Sequence, residues 1–318
     1  MPSELSALPQ RRIGSWQVSA IGLGAMPLSF SHMLGHREQA IATIHRALDL
    51  GITFIDTSNI YAPSWDSVGH NETLLAEAFA LYTGQANISD VIVATKGGIT
   101  RGEGETWSRD GSAAGLKAAC EGSMTALGAT VIDVYQLHRH DSRETYADQI
   151  RAISDLRDLG WVQEVGISNA TLAELEVALE ILGGPGEGGL VSVQNEFSPR
   201  FREDREVLER CTELGIAFLP WSPLGGSDNA KTLGSQFGEF AVVAAEHAAS
   251  VQEVTLAWLL SLSPTMIPIP GATKPVTIDS IVRSMRIELS DSQRDRLSAT
   301  ESVGETIFPE SEPRSPLR

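Results

Sequence analysis

Three times in this chain an amphipathic segment ends in Leu-Gly and a hydrophobic run begins at once: ALDLG before ITFID, RDLG before WVQEVGIS, and TELG before IAFLP. Glycine suits the left-handed residue that closes a helix, so Gly51, Gly160 and Gly215 each mark a helix C-terminus with a strand directly behind it. The repeated unit is helix, tight turn, strand. Strands joined through helices in this way run parallel, and their sheet is covered by the helices that connect them.

Further apolar runs continue the alternation: VIVATK at 91–96, VIDVYQLH at 131–138, VSVQNE at 191–196 and MIPIPG at 266–271. With residues 21–24 as the first strand the count is eight, separated by helical segments such as 36–50, 70–82, 110–127, 143–159 and 171–182. Near-continuous apolar strands in a chain of 318 residues, 42% of them hydrophobic, predict an α/β fold, a (β/α)8 TIM barrel. Residues 11–20, RRIGSWQVSA, read as an N-terminal β-hairpin closing the bottom of the barrel. The expected organisation is an N-terminal tail over 1–10, one catalytic barrel domain over 11–301, and an irregular tail over 302–318, rich in Pro, Glu and Ser. Ile307 and Phe308 are the apolar residues by which that tail would cover a pocket.

The formal charge of −17 and a pI near 4.8 argue against nucleic acid or an anionic membrane as partner, because the long-range field repels polyanions. A phosphate-bearing ligand then needs a local site. Cys120 and Cys211, the only cysteines, are too few for a disulfide framework or a thiolate metal cluster. The first ten residues carry no basic segment followed by an apolar run, and no window reaches membrane-spanning length, so the expectation is a soluble cytoplasmic protein. Oligomeric state is not legible.

The strand ends carry the chemistry. They read Asp56, Lys96, His138, Ser168 with Asn169, Gln194, Trp221 and Gly271, all expected at the C-terminal mouth where barrel enzymes place their sites. Singly, a strand-end Asp is more often a helix cap and a lone Lys a solvated charge. Together, Asp56 and Lys96 would couple strongly in a low dielectric. Tyr61, five residues after Asp56, would then feel an adjacent ammonium that lowers its pKa from about 10 toward the working range of a general acid. Two glycine-rich stretches mislead: in IGLGAM, Pro27 stands where a dinucleotide fingerprint needs its third glycine, and GGPGEGG at 183–189 follows a helix and precedes a strand, as a connector on the opposite face does.

These segments resemble a family. DTSNIY is similar to the DTAxxY signature of the aldo-keto reductases, VIVATK to their strand-end lysine segment, and YQLHRHD to their histidine segment. GISN at 166–169, VQNEFS at 193–198, WSPL at 221–224 and IPGATKP at 269–275 continue the resemblance in family order over roughly residues 10–290.

The resemblance implies an NADPH-dependent reductase of aldehydes or ketones, or an alcohol dehydrogenase, with a small-molecule carbonyl compound as substrate and no metal. Tyr61 would donate the proton, Lys96 lower its pKa, Asp56 pair with Lys96, and His138 orient the carbonyl. Ser168, Asn169 and Gln194 would bond the nicotinamide carboxamide and Trp221 stack on the ring. The loop from Ser222 to Gly234, with Pro223, Leu224, Gly226 and Lys231, would cross the pyrophosphate. Gly271, Thr273, Lys274 and Thr277 fall at the adenosine end. There the chain departs from the common pattern, with Gly271-Ala272, Thr277 and Ser280-Ile281 where many members carry Lys-Ser, an Arg and Glu-Asn. Lys274 leaves one cation for a 2′-phosphate where two are usual, so NADPH is expected and NADH is the alternative.

For the substrate, Met26, Trp65, Trp107 and Phe197 are the expected apolar rim, with His32, Arg139 and His140 as polar contacts. Within the family the chain looks closest to bacterial reductases of small or aromatic aldehydes and ketones, pyridoxal included.

Two other readings compete. A metal-dependent hydrolase on the same barrel would use His138 and His140 with Asp56, Asp141 and Glu196 as oxygen ligands, but leaves the Lys, Tyr, Gln and Asn at strand ends without a task. A non-catalytic accessory subunit that binds nucleotide would keep the fold, but the chain lacks a long basic or amphipathic docking extension.

Overall fold

The computed structural model describes residues 8–307; residues 1–7 and 308–318, with Phe308, lie outside the described residues. The strands are β1 (Gln10–Ile13), β2 (Trp16–Ser19), β3 (Leu23–Gly24), β4 (Phe54–Asp56), β5 (Ile92–Gly97), β6 (Ile99–Gly102), β7 (Thr106–Arg109), β8 (Ile132–Leu137), β9 (Val162–Ser168), β10 (Leu190–Gln194) and β11 (Ala217–Phe218). Seven of them form one parallel sheet in the order β11-β10-β9-β8-β5-β4-β3.

The predicted eighth position, 266–271, closes this sheet into a barrel through single bridges, Phe218 to Met266 and Gly24 to Gly271. Composition explains why no full ladder forms. Pro268 and Pro270 have no N–H to give and act only as acceptors, from Gly22 at 2.9 Å and Gly24 at 3.1 Å, while Ile267 donates the other way to Phe218 at 2.8 Å. Gly24 is required at this seam, since a Cβ there would lie 2.6 Å from the backbone oxygen of Ile269.

The helices are α1 (Arg37–Asp49), α2 (His70–Ala80), α3 (Ala113–Leu127), α4 (Tyr146–Asp158), α5 (Leu172–Leu182), α6 (Arg205–Leu214), α7 (Ser227–Gln236), α8 (Gly238–Glu246), α9 (Val251–Leu262), α10 (Pro275–Ser284) and α11 (Asp291–Ser298). Gly51, Gly160 and Gly215 have φ of 85°, 74° and 71°, the left-handed closures predicted from the Leu-Gly junctions. Helices expected from 110 and 143 begin at 113 and 146, because Ser112 and Thr145 cap them with side-chain oxygens and keep extended backbone themselves.

Apolar residues fill two spaces. Inside the barrel Phe54, Ile92, Ala94, Val134, Val191 and Ile267 meet Ile13 and Val18 from the β1–β2 hairpin, which plugs the bottom as expected. Arg11 fastens the hairpin by donating to the carbonyls of Leu260, at 2.7 Å, and Ser263. The larger core lies between sheet and helices. The β6–β7 hairpin is an addition that sequence periodicity did not foresee; it rises after β5 on a turn with Gly104 at φ 69° and Glu105 at φ 63°. Among the described residues no helix is long and apolar enough to cross a membrane.

Candidate active site

Neighbouring strands β4, β5 and β8 set the site. Their register pairs Asp56 with Ala94 and Lys96 with Gln136. Asp56 and Lys96 are both buried in the barrel mouth. The Lys96 Nζ donates to Asp56 Oδ2 at 2.8 Å, to the Thr57 carbonyl at 2.7 Å and to the Tyr61 hydroxyl at 3.2 Å, using all three ammonium protons. Tyr61 comes from the loop after β4, which turns back on itself where the Tyr61 N–H meets the Ser58 carbonyl. The His138 ring stands edge-on to that of Tyr61, centroids 5.9 Å apart, which brings phenol and imidazole side by side.

Electrostatics follow from burial and neighbours. Burial works to discharge Lys96, but Asp56 and Tyr61 outweigh it and hold the ammonium above its ordinary value. Burial drives the Asp56 carboxyl upward against Lys96 and the hydrogen bond from Gln194. For Tyr61 the expectation of a net lowering is corrected: Lys96 does pull the phenol down, yet burial is the larger effect and Asp56 adds to it, so the shift is upward. His138 is held well below the ordinary histidine value by burial and by the positive charges of Lys96 and Arg139, which makes it a neutral imidazole at physiological pH. Its Nδ1 lies 3.3 Å from the buried Ser58 hydroxyl.

The nicotinamide candidates form one network with this centre. Gln194 Nε2 donates to Asp56 Oδ1 at 2.6 Å, Ser168 Oγ to the Gln194 carbonyl at 2.8 Å, and Asn169 Nδ2 to the His138 carbonyl and Ser168 Oγ at 3.0 Å each. Trp221 Nε1 donates to Asn169 Oδ1 at 3.1 Å, which fixes the indole plane. Asn169 and Ser222 hold left-handed backbone, φ 56° and 48°, an unusual cost for residues with side chains, of the kind found at binding sites. Beyond them the chain passes buried Pro223 and half-buried Leu224 and enters α7 through Gly226, at φ 89° and with no side-chain cap.

Among the residues expected at the adenosine end, Lys274 is exposed at the N-cap of α10, with the Thr277 N–H closing on its carbonyl, and Gln39 pins the Thr273 carbonyl. Gly271 sits in the barrel seam. Ser280 is committed to Glu253 and Ile281 is buried, so neither replaces the Glu-Asn pair common in the family. Lys231 pairs with Asp228 on its own helix at 3.3 Å and is not drawn toward the loop.

On the rim, Met26 lies in a short turn after β3. Trp65 and Trp107 are 39% and 57% exposed, with the Arg101 guanidinium 4.9 Å over the Trp107 ring. Arg101 also donates to the Ala62 carbonyl, tying the β6–β7 hairpin to the tyrosine loop. Arg139 is half-buried beside His138, close enough to influence Tyr61 and Glu196. Phe197 is not on the rim: it is fully buried against Phe218 and Trp258. His140 is turned away as well, bonded to Glu174 at 2.8 Å and packed on Tyr146, while His32 packs beside Phe30. The histidines of HRHD thus serve different neighbourhoods, which removes the shared facing the hydrolase reading needs, and Asp141 is taken up by Gly111 and Arg143.

Sequence reasoning passed over Ser58 and Asn71, whose polar side chains fall in segments otherwise read as a motif spacer and a helix start. It also missed the clasp at Glu196, which accepts from Thr306 and from the Ile307 N–H. There the described part of the C-terminal segment crosses from Arg200, which accepts from the Val303 and Gly304 N–H groups, toward Gly226.

Comparison with known proteins places the chain in a family. The sequence model of the Aldo/keto reductase family matches residues 20–301. An uncharacterized oxidoreductase of Schizosaccharomyces pombe is 34% identical over 282 residues, 88% of this chain and 85% of that protein. Pyridoxine 4-dehydrogenase of Escherichia coli is 30% identical over 288 residues, 88% of this chain and 93% of that one. Among solved structures, an aldo-keto reductase from Klebsiella pneumoniae in complex with NADPH superposes with a TM-score of 0.75 at 22% identity, covering 96% of this chain and 100% of that one.

Proposed function

Since the chain belongs to the aldo/keto reductase family, we propose that it reduces an aldehyde or ketone to the alcohol with NADPH, Tyr61 supplying the proton. The observation that carries this reading is the Lys96 ammonium, in hydrogen-bond reach of both Asp56 and the Tyr61 hydroxyl with His138 alongside.

The residues at the mouth fit a nicotinamide dinucleotide: amide and hydroxyl groups of Ser168, Asn169 and Gln194 beside an indole, then an uncapped helix N-terminus, then Lys274. When bound, that cofactor supplies the hydride. As the carbonyl oxygen gains negative charge, Tyr61 and His138 stabilise it as hydrogen-bond donors, more in the transition state than in the ground state. Tyr61 then gives up its proton, and the adjacent Lys96 offsets the charge left on the phenolate. Neutral His138 can donate from Nε2 only if Nδ1 accepts, which assigns the single Ser58 hydroxyl proton to Nδ1 rather than to Asn59 Oδ1, also 3.3 Å away.

The substrate read from the rim is an aromatic aldehyde of pyridoxal type. Trp65 and Trp107 offer exposed apolar surface beside the tyrosine loop, to which Arg101 ties the β6–β7 hairpin, and a relative at 30% identity is a pyridoxine 4-dehydrogenase. The test is fluorescence titration with NADPH and NADH, followed by a panel of aromatic and aliphatic aldehydes. Saturable binding with NADPH preferred and fastest turnover of pyridoxal-like aldehydes is expected. Absence of nucleotide binding overturns the reductase reading, and preference for aliphatic aldehydes overturns the substrate class alone.

A further inference from the structure

Asn71, at the start of α2, is fully buried, and both its amide hydrogens and its oxygen are engaged. Its Oδ1 accepts from the Thr57 hydroxyl at 2.6 Å; its Nδ2 donates to the Ala25 carbonyl at 2.9 Å and to Ser29 Oγ at 2.7 Å. Its backbone N–H donates to the Tyr61 carbonyl at 3.1 Å, and two residues earlier the Gly69 N–H holds the Asn59 carbonyl at 2.7 Å.

These partners are not scattered through the core. Thr57 supplies the carbonyl that takes one Lys96 proton, Ala25 donates its N–H to the Asp56 carbonyl, and Tyr61 carries the phenol. The Asn71 side chain holds the Thr57 end of the loop between the ion pair and the tyrosine, and its backbone N–H holds the Tyr61 end, so the amide fixes where that backbone anchor sits against Thr57 and Ala25. We propose that Asn71 is a positioning residue: it sets the separation of the Lys96 ammonium and the Tyr61 hydroxyl by fixing the 57–61 loop onto α2. The proposal rests on the carbonyl-reductase reading for its effect on turnover, but not for its effect on Lys96.

Displacements on the order of 1 Å at a reacting group cost about 100-fold in rate. Asn71→Ala is therefore expected to lower kcat by about 10- to 100-fold while the carbonyl KM and the NADPH Kd stay within about twofold, because nothing in the nucleotide network is touched. The second readout needs no turnover. The chain has four lysines, so with 13C-labelled lysine the Lys96 side-chain signal, identified by its loss in Lys96→Met, is expected to move in Asn71→Ala with the other three in place. Thr57→Val removes the same link from its other end and guards against a variant that does not fold. It is expected to reproduce both effects, and the double variant to lose little more than either single one, as coupled groups do.

A wild-type kcat with an unmoved Lys96 signal overturns the proposal. So does a rate loss that vanishes when activity is normalised to folded protein. If wild type turns over no carbonyl compound and binds no nucleotide, the reductase reading fails, and the Lys96 signal still decides whether Asn71 holds this loop.

Discussion

Lys96 gathers three oxygens from three residues around a buried charge, and the site is most sensitive there. Removing one member of a buried ion pair costs about 3–5 kcal/mol because the other is left uncompensated. Lys96→Met is expected to show a loss of that order in chemical denaturation together with abolished carbonyl reduction; a variant as stable as wild type would mean that Asp56 is neutral in the native protein. Tyr61→Phe deletes only the hydroxyl and is expected to keep NADPH affinity while turnover falls about 10²–10⁴-fold, the usual worth of a positioned general acid. Undiminished turnover would remove Tyr61 from its assigned role. His138 adds a pH term. In the unfolded chain it takes a proton near 6.5, and in the native mouth it resists one, so its contribution is complete above 6.5 and stability falls as pH drops below it. His138→Gln is expected to flatten the melting temperature between pH 6.5 and 5, and an unchanged slope would count against a neutral buried imidazole. Asp56, Lys96 and His138 were legible because packing alone seldom places polar residues at the ends of apolar strands, and Tyr61 because it follows Asp56 by five residues in a motif of known pattern. The sign of the Tyr61 shift was not, since burial of the phenol depends on loops whose course no local pattern encodes.

At the scale of elements, the HRHD stretch after β8 shows how equal-looking residues diverge. His140 reaches the capping glutamate of α5, where its bond to Glu174 raises it, while Glu174 is held below its ordinary value against the opposing effect of burial. Stability from the raised histidine is full below 6.5 and lost as pH climbs through its native value. That from the lowered glutamate is present above 4.5 and lost on acidification, so the link is strongest between these limits. His140→Ala is expected to cost more stability at pH 6 than at pH 8.5, and equal losses would show the pair to be uncharged. The seam between β3 and 266–271 is tested by Gly24→Ala: its Cβ meets backbone that cannot swing aside, and overpacking of this kind costs about 1–3 kcal/mol. An unchanged unfolding midpoint would show that the seam yields. Helix ends were read closely where a Leu-Gly junction marks them, because a glycine closure is a local signal, whereas the Ser112 and Thr145 caps that set two helix starts went unread. The β6–β7 hairpin escaped because its sequence, ITRGEGETWSR, has too little apolar alternation against the neighbouring strand.

Across the whole molecule, 41 acidic against 24 basic side chains leave a net charge of −17, whose self-repulsion salt should relieve. The melting temperature is expected to rise between about 10 mM and 200 mM NaCl; a fall would mean that the surface ion pairs, such as Arg296 with Glu239 and Glu246, outweigh the net repulsion. Barrel topology was legible from the count of alternating units. That the tail could fold back through Ile307 was legible from its apolar residues; its anchors at Glu196 and Arg200 were not, because a short Pro- and Glu-rich segment says nothing of where they will stand.

The seam also has a consequence in time. Residues 22–24, paired on one side with β4, find their second partner only when 266–271 has left the ribosome, about 245 residues later; at roughly 5–20 residues per second that is an interval of roughly 12–50 s. Throughout it the growing chain is an open sheet with its first edge unpaired, the kind of edge that captures other chains. Synthesis rather than catalysis is therefore the stage at which this protein most needs a chaperone's shelter.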